Sequence, residues 1–565
     1  MLSRLIFILL FFLFQQVSAQ EYKFLIRFKD KNKNGISLSD PASFLSAKSI
    51  LRRQKQNIPV DSTDLPVSAI YADSILSIPS VRILNSSRWF NLVLISVPDS
   101  SVLQQVRSFS FVMSSEPVNN RRMKKITNRF SINQIKSFSG STVSENKMFL
   151  SGKISAADYG AAFTQVHIHH GEYLHNLGFQ GEGMTIAILD NGFSNYLNNP
   201  AFDSLRSDHR ILGTYDFVHQ KMTVNEEEAH GAYCFSIIAS NIPGTMIGTA
   251  PSASYWLFKT EDDVSESPVE EQNWVAAAEF ADSVGVDLIT TSLGYGYFDD
   301  SAYDLTHPER NGHTALVSQA ANMAVAKGII VTASAGNSGF ETSDRKYISC
   351  PADGDSVYAA GAVDYNGQIA GFSSWGSNGS GQVKPDGVSI GLGTSFIGTD
   401  GNPYSGNGTS FSNPNLAGLI TCLWEAFPEF NAHDILAAVR ESSDQYNLPD
   451  DRYGYGIPDF EKAYQSLLMK RNAGLKPLTA SDWIHVFPVP FKDRIYLFIL
   501  PAVSGTASIQ LMDVSGKLIQ TQTLYVTEGQ MQLVEYIVGR PLANGAYFIR
   551  YVDQQRTKTL KLLKK

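Results

Sequence analysis

The stretch HTALVSQAANMAVAKGIIVTASAGN, residues 313–337, decides the fold class. Its first part, up to Gly328, has apolar residues at the spacing of one helix face. The part that follows is a short apolar run that ends in small and polar residues, which is typical of a buried strand. A helix that leads directly into such a strand is the repeating unit of a parallel sheet, because parallel strands need a crossover connection.

The same pattern recurs over residues 155–470, which we expect to form one α/β domain. MTIAILD (184–190) and VDLITTSLG (286–294) are two further apolar runs of strand length, and the helical pattern EEQNWVAAAEFADSVG (270–285) precedes the second. Strands that are apolar on both sides predict a three-layer architecture, a parallel sheet with helices on both faces. In such folds the chemistry gathers at the carboxyl ends of the strands.

Two blocks of different character flank this domain. Residues 20–150 combine the strand patterns YKFLIRF and WFNLVLISV with a basic helical piece, which predicts an α+β region, and they end in a polar linker over about 114–147. Within that linker, NNRRMKK is either a processing site or, as we favour, a solvated loop. Residues 485–565 alternate in the manner of antiparallel strands and predict a small β-sandwich.

The first nineteen residues are typical of a secretory signal peptide. Arg4 precedes the apolar run LIFILLFFLF, and small residues stand at Val17 and Ala19, where cleavage would follow. Ten apolar residues reach only about 15 Å as a helix, roughly half a bilayer core, so a membrane anchor is the weaker alternative. No other stretch is long and apolar enough to span a membrane, and the net charge of -8 argues against a nucleic-acid partner.

Metal and cofactor motifs are weak in this chain. Three cysteines do not make a disulfide framework in an exported protein of 565 residues, and their spacing fits no zinc motif: Cys234, Cys350 and Cys422. The run HIHHGEYLH offers four histidines as a rival metal cluster: His167, His169, His170 and His175. The glycines of GFQGEGMT precede a strand and do not follow one, so a dinucleotide loop is excluded.

Four polar residues stand where strands end or helices begin: Asp190, His230, Asn337 and Ser410. Each has an ordinary explanation by itself, as a turn residue, a helix cap or a surface group. Together they supply what a nucleophilic serine needs, which is a base, a group that orients the base, and an oxyanion donor. Asp, His and Ser follow one another at intervals of 40 and 180 residues, in one of the known chain orders of serine triads.

The residues around these positions resemble the signature blocks of the subtilases, the subtilisin-like serine proteases. The matching blocks are IAILDNGF, HGAYCFSIIAS, TTSLGYG, ASAGNSG and GTSFSNPNLAG, and the similarity covers about residues 180–465. The resemblance implies a subtilisin-like fold and an endopeptidase that hydrolyses polypeptides through an acyl-enzyme. Relative to the usual family pattern, three positions differ: Asn191, Phe411 and Asn413.

The resemblance also implies a role for each matching residue. Asp190 would orient His230, which would take the proton from Ser410 as that serine attacks the substrate carbonyl. Asn337 and the backbone N–H of Ser410 would bind the oxyanion. The segments implied to bind substrate and form the primary pocket contain Ser292, Leu293, Gly294, Ala335 and Gly336.

The flanking blocks carry resemblances of their own. Residues 20–150 are similar to the N-terminal regions of certain exported bacterial subtilases, which implies an inactive precursor. Residues 485–565 resemble the sorting domains of type IX secretion cargo, which implies that the secretion machinery is a partner and that the product is secreted or held at the cell surface after crossing the periplasm. We expect a monomer that requires no cofactor; structural calcium is frequent in the family, but no calcium loop is recognisable here.

Two alternatives remain open on sequence alone. One is a catalytically silent binding protein on the same scaffold. The other is a serine esterase, although Gly408-Thr409-Ser410-Phe411-Ser412 lacks the Gly-x-Ser-x-Gly elbow. The natural substrate, the preference of the primary pocket, the maturation sites and the disulfide state are undetermined at this level.

Overall fold

The computed structural model divides the chain into two compact units, Met1–Leu467 and Leu468–Lys565. It describes residues 21–32, 35–119, 136–137, 155–225, 228–472, 483–487, 489–491, 494–528 and 532–564. The expected signal peptide, residues 120–125 of the candidate processing segment, and most of the expected linker lie outside the described residues.

The N-terminal block, residues 21–119, is an α+β region built on an antiparallel sheet with strand order β2-β3-β1-β4. Alternate residues of β1 point to opposite faces. Ile26 packs with Ile75 and Val106 of the block's own helices, whereas Leu25 packs with Val269, which belongs to the following region. The elements are β1 Tyr22–Phe28, α1 Ala47–Lys55, α2 Ala69–Leu76, β2 Arg82–Ser87, β3 Leu92–Val97, α3 Val102–Ser108 and β4 Val112–Asn119.

The expected parallel sheet is present. Seven parallel strands are arranged in the order β14-β13-β12-β11-β6-β10-β7. The elements of this region are β5 Lys136–Ser137, α4 Ala156–Tyr159, α5 Phe163–His167, α6 Gly171–Asn176, β6 Thr185–Asp190, α7 Asp203–Ser207, β7 Ile211–Asp216, α8 His230–Ala239, β8 Asn241–Ile242, β9 Met246–Ile247, β10 Ser254–Lys259, α9 Pro268–Val284, β11 Leu288–Thr291, α10 Leu316–Ala326, β12 Ile330–Ser334, β13 Tyr358–Val363, β14 Gly387–Ile390, β15 Leu392–Ile397, β16 Pro403–Asn407, α11 Thr409–Ala426, α12 Ala432–Glu441 and α13 Phe460–Asn472.

Both faces of this sheet are covered by helices. Ile289 of β11 packs in one cluster with Trp274 of α9 and Ala320 of α10. The next residue, Thr290, points to the other face, where its hydroxyl accepts a hydrogen bond from Asn413 of α11 at 2.9 Å. The central strands are therefore buried on both sides, and this burial explains their continuous apolar sequence.

Local sequence signals set both ends of α9, one of the helices that cover the sheet. Helix α9 begins with a capping box between Ser267 and Glu270, has Pro268 in its first turn, and ends at Gly285 in the left-handed conformation. The helix thus starts two residues before the predicted pattern. Helix α10 starts at Leu316, three residues after its predicted pattern begins. The delay arises because the backbone N–H and the hydroxyl of Thr314 donate to Asn311 Oδ1, which holds Thr314 in a turn.

The second unit is a small β-sandwich, as expected. A sheet of order β17-β18-β21 faces a sheet of order β20-β19-β22-β23, and side chains of both, such as Leu497 and Ile549, share one core. The strands are β17 Ile484–Phe487, β18 Arg494–Ile499, β19 Gly505–Met512, β20 Leu518–Val526, β21 Gln532–Ile537, β22 Gly545–Val552 and β23 Thr557–Lys564.

All three cysteines are buried and unpaired, so this structure contains no disulfide bridge between them. Among the described helices, none has the length and apolar character that crossing a membrane requires.

Candidate active site

The sheet and two helices bring the four selected residues to one edge. Asp190 is the last residue of β6, and Asn337 follows β12 by three residues. His230 is the first residue of α8, and Ser410 is the second residue of α11. Helix starts thus meet strand ends at the carboxyl edge of the parallel sheet, where open α/β folds place their chemistry.

Asp190 and His230 are in direct contact. The His230 Nδ1 lies 2.7 Å from Asp190 Oδ1, and that oxygen also accepts the backbone N–H of Asn191 at 2.8 Å. The close approach of α8 to β6 requires glycine at Gly231, since a Cβ there would lie 2.5 Å from the Gly192 carbonyl oxygen and 2.9 Å from the Asp190 Cβ. The aspartate therefore holds one ring nitrogen and leaves Nε2 on the other side of the ring.

Opposing effects act on the pKa of His230. Burial of the ring lowers it, but the adjacent Asp190 carboxylate favours the imidazolium and outweighs burial, so the pKa is raised well above the usual 6.5. Cys234, one helical turn further on, lies 3.9 Å from His230 Nδ1 and 4.0 Å from Nε2. Burial raises the pKa of this thiol, so it stays protonated against the ring.

Ser410 is not the N-cap of its helix. Gly408 occupies the cap position and has no side chain to cap α11, and the hydroxyl of Ser410 makes no cap hydrogen bond. A Cβ at Gly408 would lie 2.8 Å from Ser410 Oγ and 3.7 Å from Asn337 Nδ2. Only glycine leaves the space between those two side chains open.

The carbonyl of Ser410 is held by groups outside the helix. In a regular helix it would accept the N–H of residue 414, but Pro414 has none. Ser292 Oγ donates to this oxygen at 2.9 Å, and Cys234 Sγ donates at 3.3 Å. Pro414 is the sixth residue of α11 and lies in its second turn, and these two donors replace the lost bond.

The orientation of Asn337 follows from its partners. Its Oδ1 accepts the backbone N–H of Thr409 at 2.8 Å and the hydroxyl of Thr409 at 3.0 Å. Both partners donate, so the accepting atom is the amide oxygen, and Nδ2 is left as a donor towards the Gly408–Ser410 side.

The two segments predicted to line the primary pocket follow β11 and β12. Leu293 and Ala335 are buried, so these two side chains belong to the core, and Ser292 is turned towards the Ser410 carbonyl. Gly294 is exposed and Gly336 is half-buried. At these two glycines the predicted pocket segments therefore reach the surface without a side chain.

Sequence reasoning missed Ser349, which lies between these glycines. Its Oγ would be 2.4 Å from a Cβ at Gly294 and 3.4 Å from a Cβ at Gly336. The hydroxyl is buried and makes no hydrogen bond within the described residues. Nothing in the local pattern ISCPAD marks this position, because long-range backbone bonds place it there: Ser349 N donates to the Ala335 carbonyl, and Cys350 exchanges two backbone bonds with Tyr295.

The three departures from the family pattern have different surroundings. The Phe411 ring stacks on Phe396 and on His230, with ring centroids 5.1 Å and 6.0 Å apart. Asn413 donates to Thr290 Oγ1 and to the Thr291 carbonyl, so it faces the sheet and not the pocket. Asn191 directs its side-chain amide to Asp263 at 3.3 Å.

The rival histidine cluster does not converge on one point. Both ring nitrogens of His169 have partners, Pro458 O at 2.9 Å and Ser389 Oγ at 2.8 Å. Those of His175 lie 2.6 Å from Tyr159 OH and 3.0 Å from Thr249 O. Burial lowers the pKa of each to about 4, so both are neutral side chains of the interior.

Comparison with known proteins agrees with this geometry. Residues 181–456 match the model of the subtilase family, residues 23–134 match the peptidase S8 propeptide domain of Bacteroidota, and residues 485–565 match a secretion system C-terminal sorting domain. The sorting and propeptide domains indicate a secreted or cell-surface protein.

Curated relatives give the same answer for the central region. Subtilisin DY of Bacillus licheniformis is 30% identical over 292 residues, which are 51% of this chain and 93% of that protein. Subtilisin E of Bacillus subtilis is 30% identical over 52% of this chain and 68% of its own length, and the thermostable alkaline protease of Halalkalibacterium halodurans is 26% identical over 52% and 70%. The chain thus belongs to the subtilase family of serine endopeptidases, with a propeptide domain before the peptidase region and a secretion sorting domain after it.

Proposed function

We propose that this protein is a secreted endopeptidase that cleaves polypeptides through an Asp190–His230–Ser410 triad and an acyl-enzyme intermediate. The contact of 2.7 Å between His230 Nδ1 and Asp190 Oδ1, next to the start of α11, is the observation that carries the proposal. With Nδ1 bonded to Asp190, His230 Nε2 serves as the base for the Ser410 hydroxyl, which makes no hydrogen bond that caps α11.

The proposed reaction follows from these placements. His230 takes the Ser410 proton while Ser410 Oγ attacks the substrate carbonyl, and the imidazolium that forms is stabilised by Asp190. The proton passes to the departing amine, which leaves an acyl-enzyme. Water activated by His230 then attacks the ester and releases Ser410. The steps use side chains and backbone groups alone, so the proposal includes no cofactor, and we propose that a monomer suffices.

The oxyanion would be held by Asn337 Nδ2 and the backbone N–H of Ser410. The bond from Thr409 to Asn337 Oδ1 supports this role, because it fixes the amide with its donor towards Ser410. The second residue of a helix has an N–H with no helical partner, which makes it available to an anion. Substrate would extend along Ser292–Gly294 and Ala335–Gly336.

Substitution of the nucleophile tests the proposal. Ser410→Ala should lower casein hydrolysis about 10⁴-fold or more and abolish labelling by a fluorophosphonate probe, since removal of a triad nucleophile leaves only binding and oxyanion stabilisation. Ser412→Ala, whose hydroxyl bonds the Thr409 carbonyl within the same helix, is the matched control and should be labelled. A wild-type protein that takes no label would favour the silent scaffold instead.

A further inference from the structure

A cavity of about 380 Å³ lies at the amino edge of the parallel sheet. Its wall includes Ser356, two residues before β13, and Asp386, directly before β14, and Arg440 in the last turn of α12 closes it from the side. Asp190 and Asn337 follow the carboxyl ends of their strands, so the cavity is separate from the candidate active site. Its volume is in the range of sites that hold one small molecule.

Two cations share one carboxylate in the wall of this cavity. Arg440 Nε donates to Asp386 Oδ1 at 2.6 Å, and Lys384 Nζ donates to Asp386 Oδ2 at 2.8 Å. The side chains of Lys384 and Asp386 are only 2% and 4% exposed, so both charges are held away from water. Burial raises the pKa of Asp386, but Arg440 and Lys384 outweigh it and lower that pKa, so the carboxylate stays ionised. One negative charge therefore stands against two positive ones.

Hydrogen-bond donors remain on both cations. Lys384 also donates to the Val357 carbonyl at 2.6 Å, which uses two of its three N–H groups. Arg440 Nη1 and Nη2 make no hydrogen bond to another described residue, so the outer fork of the guanidinium is available. The Arg440 guanidinium carbon lies 5.7 Å from the centroid of the Tyr358 ring, and this contact and the Nε bond fix the plane of the fork. Burial lowers the pKa of Lys384, an effect that a bound anion would oppose.

The rest of the wall determines which anion fits. A planar guanidinium fork matches the two oxygens of a carboxylate, and three aliphatic side chains line the same cavity: Val325, Val383 and Leu436. The second carboxylate of the wall, Asp355, lies 3.1 Å from His313 Nε2 and so has a partner of its own. The wall is completed by polar side chains: Ser356, Gln382, His433 and Tyr455. A bare inorganic anion would leave the aliphatic surface uncovered, whereas a carboxylate on an apolar chain would cover it.

We propose that this cavity is a binding site for a carboxylate carried on a short apolar group, with Arg440 and Lys384 as its anion-binding residues. Two sources have this chemistry: a free aliphatic acid, and the C-terminal residue of a peptide with an apolar side chain. The inference goes beyond the proposed function and does not rest on it.

Calorimetric titration of the full chain with Ser410→Ala tests the site. The probe is sodium 4-methylpentanoate at constant ionic strength, with sodium chloride as the reference salt. We expect one site with a dissociation constant of about 1 mM, which suits a ligand of this size. Acetate has the carboxylate without the apolar chain and should bind about tenfold more weakly or less. Inorganic phosphate that binds as tightly as 4-methylpentanoate would overturn the carboxylate assignment.

Substitution of the fork supplies the matched comparison. Arg440→Met keeps the aliphatic stem and should raise the dissociation constant about 10- to 100-fold. Arg440→Lys keeps a cation beside Asp386, should raise it about tenfold, and serves if Arg440→Met does not fold. Arg82→Met removes an arginine that is 63% exposed in the N-terminal block and should change nothing. The absence of saturable binding by the parent, or an unchanged constant in a folded Arg440 variant, would refute the site.

Two further measurements identify the source of the carboxylate and the place of binding. The tripeptide Gly-Gly-Leu represents a peptide end: binding at least as tight as that of 4-methylpentanoate supports a peptide ligand, and binding of the free acid alone supports a small organic acid. Fluorophosphonate labelling of the wild type should be unchanged at saturating 4-methylpentanoate, because the cavity lies at the other edge of the sheet. Protection of Ser410 by the acid would place the binding in the active site and overturn the proposal, whereas absent labelling without the acid would contradict the proposed function alone.

Discussion

At the scale of single residues, the side-chain hydroxyl and the backbone carbonyl of Ser410 have separate surroundings. Its hydroxyl lies beside Gly408 and Asn337, while its carbonyl is fixed by Ser292 and Cys234. The start of α11 is therefore held by bonds that do not involve the Ser410 hydroxyl.

The pH dependence of activity should report His230. The proposed base works only when neutral, and Asp190 raises the pKa of His230 well above 6.5, so kcat/KM should fall as pH falls, with a midpoint above 6.5. Asp190→Asn removes the stabilising anion while burial remains, so the pKa should drop. An NMR titration of the His230 ring in the Ser410→Ala background gives the pKa directly, and a midpoint at or below 6.5 in the parent would contradict the assignment.

Ser349 should limit the size of the residue accepted on the acyl side of the cut bond. Its hydroxyl fills the gap between Gly294 and Gly336, so we expect the parent to favour small side chains. Ser349→Gly should raise kcat/KM for phenylalanine relative to alanine at that position by about 10- to 200-fold, the range for one methylene-sized change in a pocket. Peptide substrates that differ only there measure the ratio. Ser380→Gly, on the surface, is the control, and an unchanged ratio would remove Ser349 from the pocket.

At the scale of elements, α11 depends on donors that come from other parts of the chain. Pro414 leaves the Ser410 carbonyl without its helical partner, and the residue after β11 provides a hydroxyl for it. Pro414 and Ser292 are therefore linked, because the carbonyl that Pro414 leaves without a helical partner takes the Ser292 hydroxyl as a donor instead.

Removal of this hydroxyl should destabilise the peptidase region. Ser292→Ala leaves a buried carbonyl with the Cys234 thiol as its remaining side-chain donor, which should lower the free energy of unfolding by about 1–2 kcal/mol. Urea unfolding in the Ser410→Ala background avoids self-digestion, and the exposed Ser301→Ala provides the baseline. Equal stability of Ser292→Ala and the control would show that the bond from Ser292 is dispensable.

At the scale of the whole molecule, the sorting unit has a core of its own. Its two sheets share buried residues such as Leu497, Ile509 and Tyr551, which form one hydrophobic core. Folding of the enzyme and its export are therefore expected to be separable.

Deletion of residues 485–565 should stop export and leave the folding of the enzyme intact. The shortened protein should accumulate in the periplasm, because the secretion machinery no longer recognises it, and should still react with a fluorophosphonate. Immunoblots of periplasm and medium measure the distribution, with full-length Ser410→Ala as an export control that lacks activity. Normal appearance of the shortened enzyme in the medium would show that the sorting domain does not direct export.

The sequence by itself determined the parallel sheet, the two flanking domains and the family. Strands buried on both faces must be apolar throughout, so the parallel sheet can be predicted from local sequence. The candidate site can be predicted from the order of four residues at strand ends and helix starts: Asp190, His230, Asn337 and Ser410. The tertiary structure alone decided which groups meet: Ser349 reaches the pocket through a backbone bond to Ala335, and Asp282 meets three arginines about 190–230 residues away in the chain. Such contacts leave no local pattern, because they depend on where distant elements pack.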